Sequence, residues 1–136
     1  MKDLLAQLRR GDRRSVRGVP EVVDQVLADP ALFRIVFNGM ADADALVRMR
    51  CADAVEKITV VRPHYLTPYK KRVLRLAAMA TQQEVRWHLA QLLSRLELSA
   101  PERRRAVEVL TEYLTDTSRI VKTFAMQALA RIIHHV

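Results

Sequence analysis

With 136 residues, half of them hydrophobic, the chain is the size of one domain and can bury a continuous core. Aromatics make up only 5%, and no apolar run approaches the roughly 20 residues that cross a bilayer, which argues against a β-sandwich and a membrane-spanning protein. The N-terminus lacks a signal-peptide core, and one cysteine excludes an intrachain disulfide framework, so a cytoplasmic protein is expected. The net charge of +8, from 23 basic and 15 acidic residues, fits a polyanionic partner; it fits equally the Arg-, Ala- and Leu-rich composition of a GC-rich bacterial genome.

In chain order, residues 2–9 read as a short amphipathic helix with Leu4, Leu5 and Leu8 on one side, followed by the polar loop 10–14. Residues 21–28 predict a helix opening at Pro20. Asp29-Pro30 starts another with a capping residue before proline; it runs through Phe33 and Phe37 to about Met40. Asp44 caps the next helix, VRMRCADAVEKI, and residues 59–66 read as a linker broken by Pro63. Thr67-Pro68 repeats the cap-plus-proline device, and Thr81-x-x-Glu84 forms a capping box before VRWHLAQLLSRL. Ser99-x-x-Glu102 is a second box, and Ser118 or Asp116 caps VKTFAMQALARI.

Those three quoted helices are copies of one pattern, led by Val47, Val85 and Val121 at spacings of 38 and 36 residues. Positions 0, 4, 8 and 11 after each Val fall on one apolar stripe at 100° per residue. The expected core therefore includes Val47, Cys51, Val55, Val85, Leu89, Leu93, Val121, Ala125 and Leu129. A helix recurring at this period is the mark of a stacked helical array.

The segment D-x-x-V-R-x-x-x-A-x-x-V/L-x-x-I/L, best matched from Asp44 to Arg48, resembles the second helix of a HEAT repeat. The stretch from Arg62 to Tyr69 resembles a common inter-repeat sequence. The resemblance implies an all-α, right-handed α-α superhelix forming one domain, 1–136. In it 1–28 would be capping helices and 29–58, 67–97 and 99–134 three HEAT-like repeats. The third copy departs from the pattern, with Lys122 for Arg and Met126 for the small Ala.

Signatures of chemistry are missing. Gly occurs only at 11, 18 and 39, so there is no phosphate-cradling loop; there is no G-x-S-x-G and no zinc-ligand spacing. Neither metal nor small-molecule cofactor is implied. HEAT-type DNA glycosylases group aromatic and acidic residues in a cleft; here Trp87 and Asp53 lie in different repeats, and no enzyme is expected. Cys51, on the apolar stripe, reads as an inert small hydrophobe.

The column Arg48, Arg86 and Lys122 borders the stripe and is expected to pair with acids such as Asp42, Asp44 and Asp116. Offsets three, six and ten share the polar side: Arg50, Asp53 and Lys57, then His88, Gln91 and Arg95, then Phe124, Gln127 and Arg131. HEAT resemblance puts second helices on the concave side, where a protein or peptide would be held, with Phe124 as anchor and Arg95 as central charge. Two basic clusters, Lys70-Lys71-Arg72 and Arg103-Arg104-Arg105, sit in early helical turns, where their charge opposes the helix dipole. They are candidate phosphate contacts for the alternative, a DNA-binding protein. The expected function is thus a non-catalytic protein-binding module or scaffold, with nucleic acid as the other reading.

Overall fold

The computed structural model describes residues 3–9 and 18–134, and within them the chain is helical with no strand. Residues 10–17, where the polar loop 10–14 was expected, and His135 lie outside the described residues. The chain divides into two compact units, Met1–Arg62 and Pro63–Val136.

The first unit holds α1 (Leu4–Gln7), α2 (Val19–Ala28), α3 (Phe33–Asn38) and α4 (Ala45–Val61). Gly18 begins α2 with φ 84°, a conformation that glycine adopts without penalty, and Pro20 sits in the first turn. The helix expected to open at Pro30 begins instead with a 3-10 turn, Pro30–Leu32, before α3, and the side chain of Asp29 at its N-cap makes no capping bond. Asp44 does cap α4, accepting from the backbone N–H of Leu46. α2 and α3 both pack on α4, as does the turn Gly39–Ala41. Val22, Val36, Phe37, Val47, Cys51 and Val55 are fully buried. A methyl at Gly39 would run into Cys51 Sγ, so closeness of packing, not backbone freedom, requires glycine there.

The second unit holds α5 (Lys70–Met79), α6 (Gln83–Leu93), α7 (Ala100–Tyr113) and α8 (Arg119–His134). α5 packs on α6 and α7 on α8; α6 also lies along α8, and α5 along α7. Each helix thus meets its pair-mate and its counterpart in the other pair. The Ser99–Glu102 capping box is present in full at the start of α7, and Ser118 Oγ accepts from the N–H of Val121 before α8. Val85, Leu89, Leu93, Val121 and Ala125 are buried as the stripe predicts.

Several expectations are corrected. α4 continues to Val61, three residues into the stretch expected to be linker, and ends just before Pro63. Residues 63–69 are a 3-10 helix containing Pro68, and α5 starts after it with no side-chain cap, so Thr67 does not cap it. Thr81 makes no capping box: Gln82 holds the N-cap position of α6, and its amide donates to Glu84. α6 stops at Leu93 rather than Leu96, its last turn tightening as the Arg95 N–H reaches the Leu92 carbonyl. Leu129 is only half-buried.

Candidate binding surface

Two of the three residues expected to lead the polar face are interior. Arg50 is 1% exposed, and its guanidinium donates to the carbonyl of Leu8 at 3.0 Å. His88 is 7% exposed. Its Nδ1 lies 2.6 Å from the Glu84 carbonyl oxygen, and Trp87 Nε1 donates to its Nε2 at 3.3 Å. With Nε2 accepting from Trp87, the ring N–H at Nδ1 is the one directed at the Glu84 carbonyl. The reason for the correction is geometric. Offset three stands only 60° from the leading Val, a border position that a neighbouring element can cover.

Asp53 and Lys57 do sit together on α4, but they satisfy each other. Lys57 Nζ is 3.0 Å from Asp53 and 2.7 Å from Glu56. Burial pulls the Lys57 ammonium down, yet the bonds to Glu56 and Asp53 outweigh it and hold its pKa above the ordinary value.

The remaining predicted residues converge. On the α6–α8 side of the second unit, Gln91, Arg95, Phe124, Gln127 and Arg131 line one depression of about 140 Å³, together with Ser94 and Ala128. Arg95 lies just past α6 and walls two further depressions. One, of about 400 Å³, is bordered by Leu96, Leu98, Arg103 and Ile132; the other, of about 430 Å³, by Pro63, His64, Thr67 and Lys70. Leu96, an expected stripe position, borders both larger depressions because α6 ends early, and Leu98, beyond the pattern, borders the first; Ile132, also on the stripe, is buried at 6% exposure.

No protein-family model, curated protein or solved structure matches this chain. The HEAT resemblance therefore rests on the chain's own residues.

The border column is used structurally in both places where its contacts are defined. Arg48 donates to the carbonyls of Asp42 and Ala43, and Arg86 to that of Ala80, which closes each helix's entry turn. Arg86 also meets Asp116 at 2.9 Å and lies 4.7 Å above the Tyr113 ring. Asp116 was among its expected partners.

The two basic clusters are brought to one end of the second unit. Lys70 Nζ is 3.2 Å from Glu102 and donates to the Glu97 carbonyl, tying the start of α5 to the start of α7. The Ser99 backbone N–H and hydroxyl, with Lys70, hold the Glu102 carboxyl below its ordinary pKa. Arg105 pairs with Glu108 at 3.2 Å, Arg72 stacks over Tyr69 at 5.6 Å, and Arg103 turns to the depression it shares with Arg95. Lys71 and Arg104 are exposed. Among the described residues, no group of three His, Cys, Asp or Glu side chains is placed to hold a metal ion.

Proposed function

We propose that the protein is a non-catalytic binding module. Its helix pairs are read as HEAT-like repeats of a right-handed α-solenoid, and a partner protein or peptide is held on the concave face of the second helices. Supporting the repeat reading, first helix meets first and second meets second within the unit 63–136. The observation that carries the functional reading is the gathering of Gln91, Arg95, Phe124, Gln127 and Arg131 around one depression. At about 140 Å³ it is smaller than the roughly 300–1,000 Å³ of small-molecule sites, which suits a side chain of a larger partner. An aromatic beside arginines is also the composition of binding hot spots.

The test is capture from native lysate, with and without nuclease, by wild type and by Phe124→Ala/Arg131→Ala. Nuclease-resistant capture that this variant loses supports the reading; capture indifferent to the variant contradicts it.

The nucleic-acid reading is favoured by one observation, the Lys70–Glu102 contact that sets both basic clusters at one end of the unit. It requires duplex-DNA affinity to fall with salt at a slope of about −0.9 per phosphate contacted. Replacing Arg103, Arg104 and Arg105 by Glu would abolish that binding while helicity is kept.

A further inference from the structure

We infer that the chain associates with itself through unlike faces: the apolar edge of α8 in one copy takes the acidic outer face of α2 in another. This goes beyond the binding-module reading, because it uses a different side of α8 from Phe124 and Arg131.

The first observation is an apolar edge left open on α8. Met126 is 55% and Ile133 56% exposed, and Leu129 between them is half-buried. At 100° per residue these three stand about 80–140° round from the leading Val121, whereas Phe124 and Arg131 stand at about 300° and 280°. On α6 the residues at the positions of Met126 and Leu129 are Ala90 and Leu93, and both are fully buried. The same arc is therefore covered on one repeat helix and open on the other. Large apolar side chains grouped on one edge, rather than scattered singly, are what a contact surface offers.

Charge then selects the occupant. α8 carries Arg119, Lys122, Arg131 and His134 and no acidic residue. Arg119 and Lys122 flank the apolar edge, at about 160° and 100° on the same scale. Asp116, the nearest acid before them, is taken by Arg86. Two α8 edges laid together would set cation against cation. α2 is the reverse: it carries Glu21 and Asp24, both exposed, with exposed Asp29 after it, and no basic residue. It is the one described helix with acids and no bases. Beside those acids Val23 and Leu27 are half-buried and Ala28 is exposed, so the face offers apolar surface as well as carboxylates. Among the described residues, Arg119, Lys122, Glu21 and Asp24 have no partner of opposite charge. Two complementary faces on different helices make a heterologous contact.

The experiment is sedimentation velocity on the full chain from about 5 to about 500 µM in about 0.15 M salt, where the net charge of +8 is screened beyond about 8 Å but contact pairs persist. Association that grows with concentration is expected. Met126→Glu/Ile133→Glu and Asp24→Lys/Ala28→Lys alter exposed side chains, and each should weaken it at least about tenfold, with helicity checked by circular dichroism. Mixed together, these two variants should form a one-to-one complex, because each keeps the face the other has lost. Phe124→Ala/Arg131→Ala should associate as the wild type does. A monomer at every concentration would overturn the inference, as would a mixture that forms no complex. If the α2 variant still self-associates while the α8 variant does not, two α8 edges meet and the inference fails. Association lost on Phe124→Ala/Arg131→Ala would move the contact to the α6–α8 depression, and association that no variant changes would move it elsewhere; either result overturns it.

Discussion

α4 in the first unit and α8 in the second carry the same apolar stripe, yet their polar residues have different partners. On α4, Arg50 is buried against the Leu8 carbonyl, and Asp53 and Lys57 bind one another. On α8, Phe124, Gln127 and Arg131 border an open depression with Gln91 and Arg95. Equal positions on the helical wheel thus become interior contacts or surface, according to whether a neighbour covers the border of the stripe. A second contrast lies inside one unit. Ala90 and Leu93 of α6 are fully buried, whereas their counterparts on α8 are Met126, 55% exposed, and Leu129, half-buried. α6 and α8 lie along each other, so that contact is common to both; the pattern alone does not say which copy gains further cover.

The largest expected effect tests what the copies share. Leu89→Ala, at a fully buried stripe position, should cost about 2–5 kcal/mol through lost burial and a residual cavity, read from urea unfolding. A cost below about 1 kcal/mol would mean the site repacks and the stripe is not the core.

Next is the tight contact peculiar to the first unit. Gly39→Ala drives a methyl into Cys51 Sγ and should cost about 1–3 kcal/mol. Because Cys51→Ala removes that sulfur, the double variant should recover at least about 0.5 kcal/mol relative to additivity. Strict additivity would place the strain elsewhere.

A smaller effect is alkaline and should appear in both units. Burial, helped by the Asp42 charge, pushes the Cys51 thiol up from 9.0 to about 12. Burial likewise raises the Tyr113 phenol, whose hydroxyl donates to the Ala77 carbonyl. With folded values above unfolded ones, both groups are neutral in both states below their unfolded pKa values. As pH rises further, only the unfolded chain ionises, so stability falls. Unfolding midpoints measured from about pH 8 to about 11 should decline, and Cys51→Ala should flatten the earlier part of the decline. A flat profile in the wild type would contradict the burial of both groups.

The helices themselves were legible because propensity, capping and apolar period agreed; the Asp44 cap and the Ser99–Glu102 box are where the sequence put them. Where the signals were single, they failed. Thr81 had the spacing of a box but lies one residue before the N-cap Gln82, and Thr67 lies inside a 3-10 segment that continues past Pro68 instead of starting an α-helix. Five of the nine predicted face residues share one depression, since period fixes which positions lie on the same side. Period does not fix what stands opposite. That left the burial of Arg50 by Leu8, forty-two residues away, unreadable, along with the early end of α6 that brings Leu96 beside Arg95 at a depression.

The contrast between α4 and the α6–α8 face is tested most directly by comparing two variants in the same urea titration. Arg50→Ala removes a buried cation and orphans a carbonyl, and should cost at least about 2 kcal/mol. Phe124→Ala/Arg131→Ala should change stability by less than about 1 kcal/mol if those side chains face a partner rather than the core. The reverse result, Arg50→Ala nearly neutral and the α8 pair strongly destabilising, would mean that the interior and surface roles have been assigned to the wrong helices.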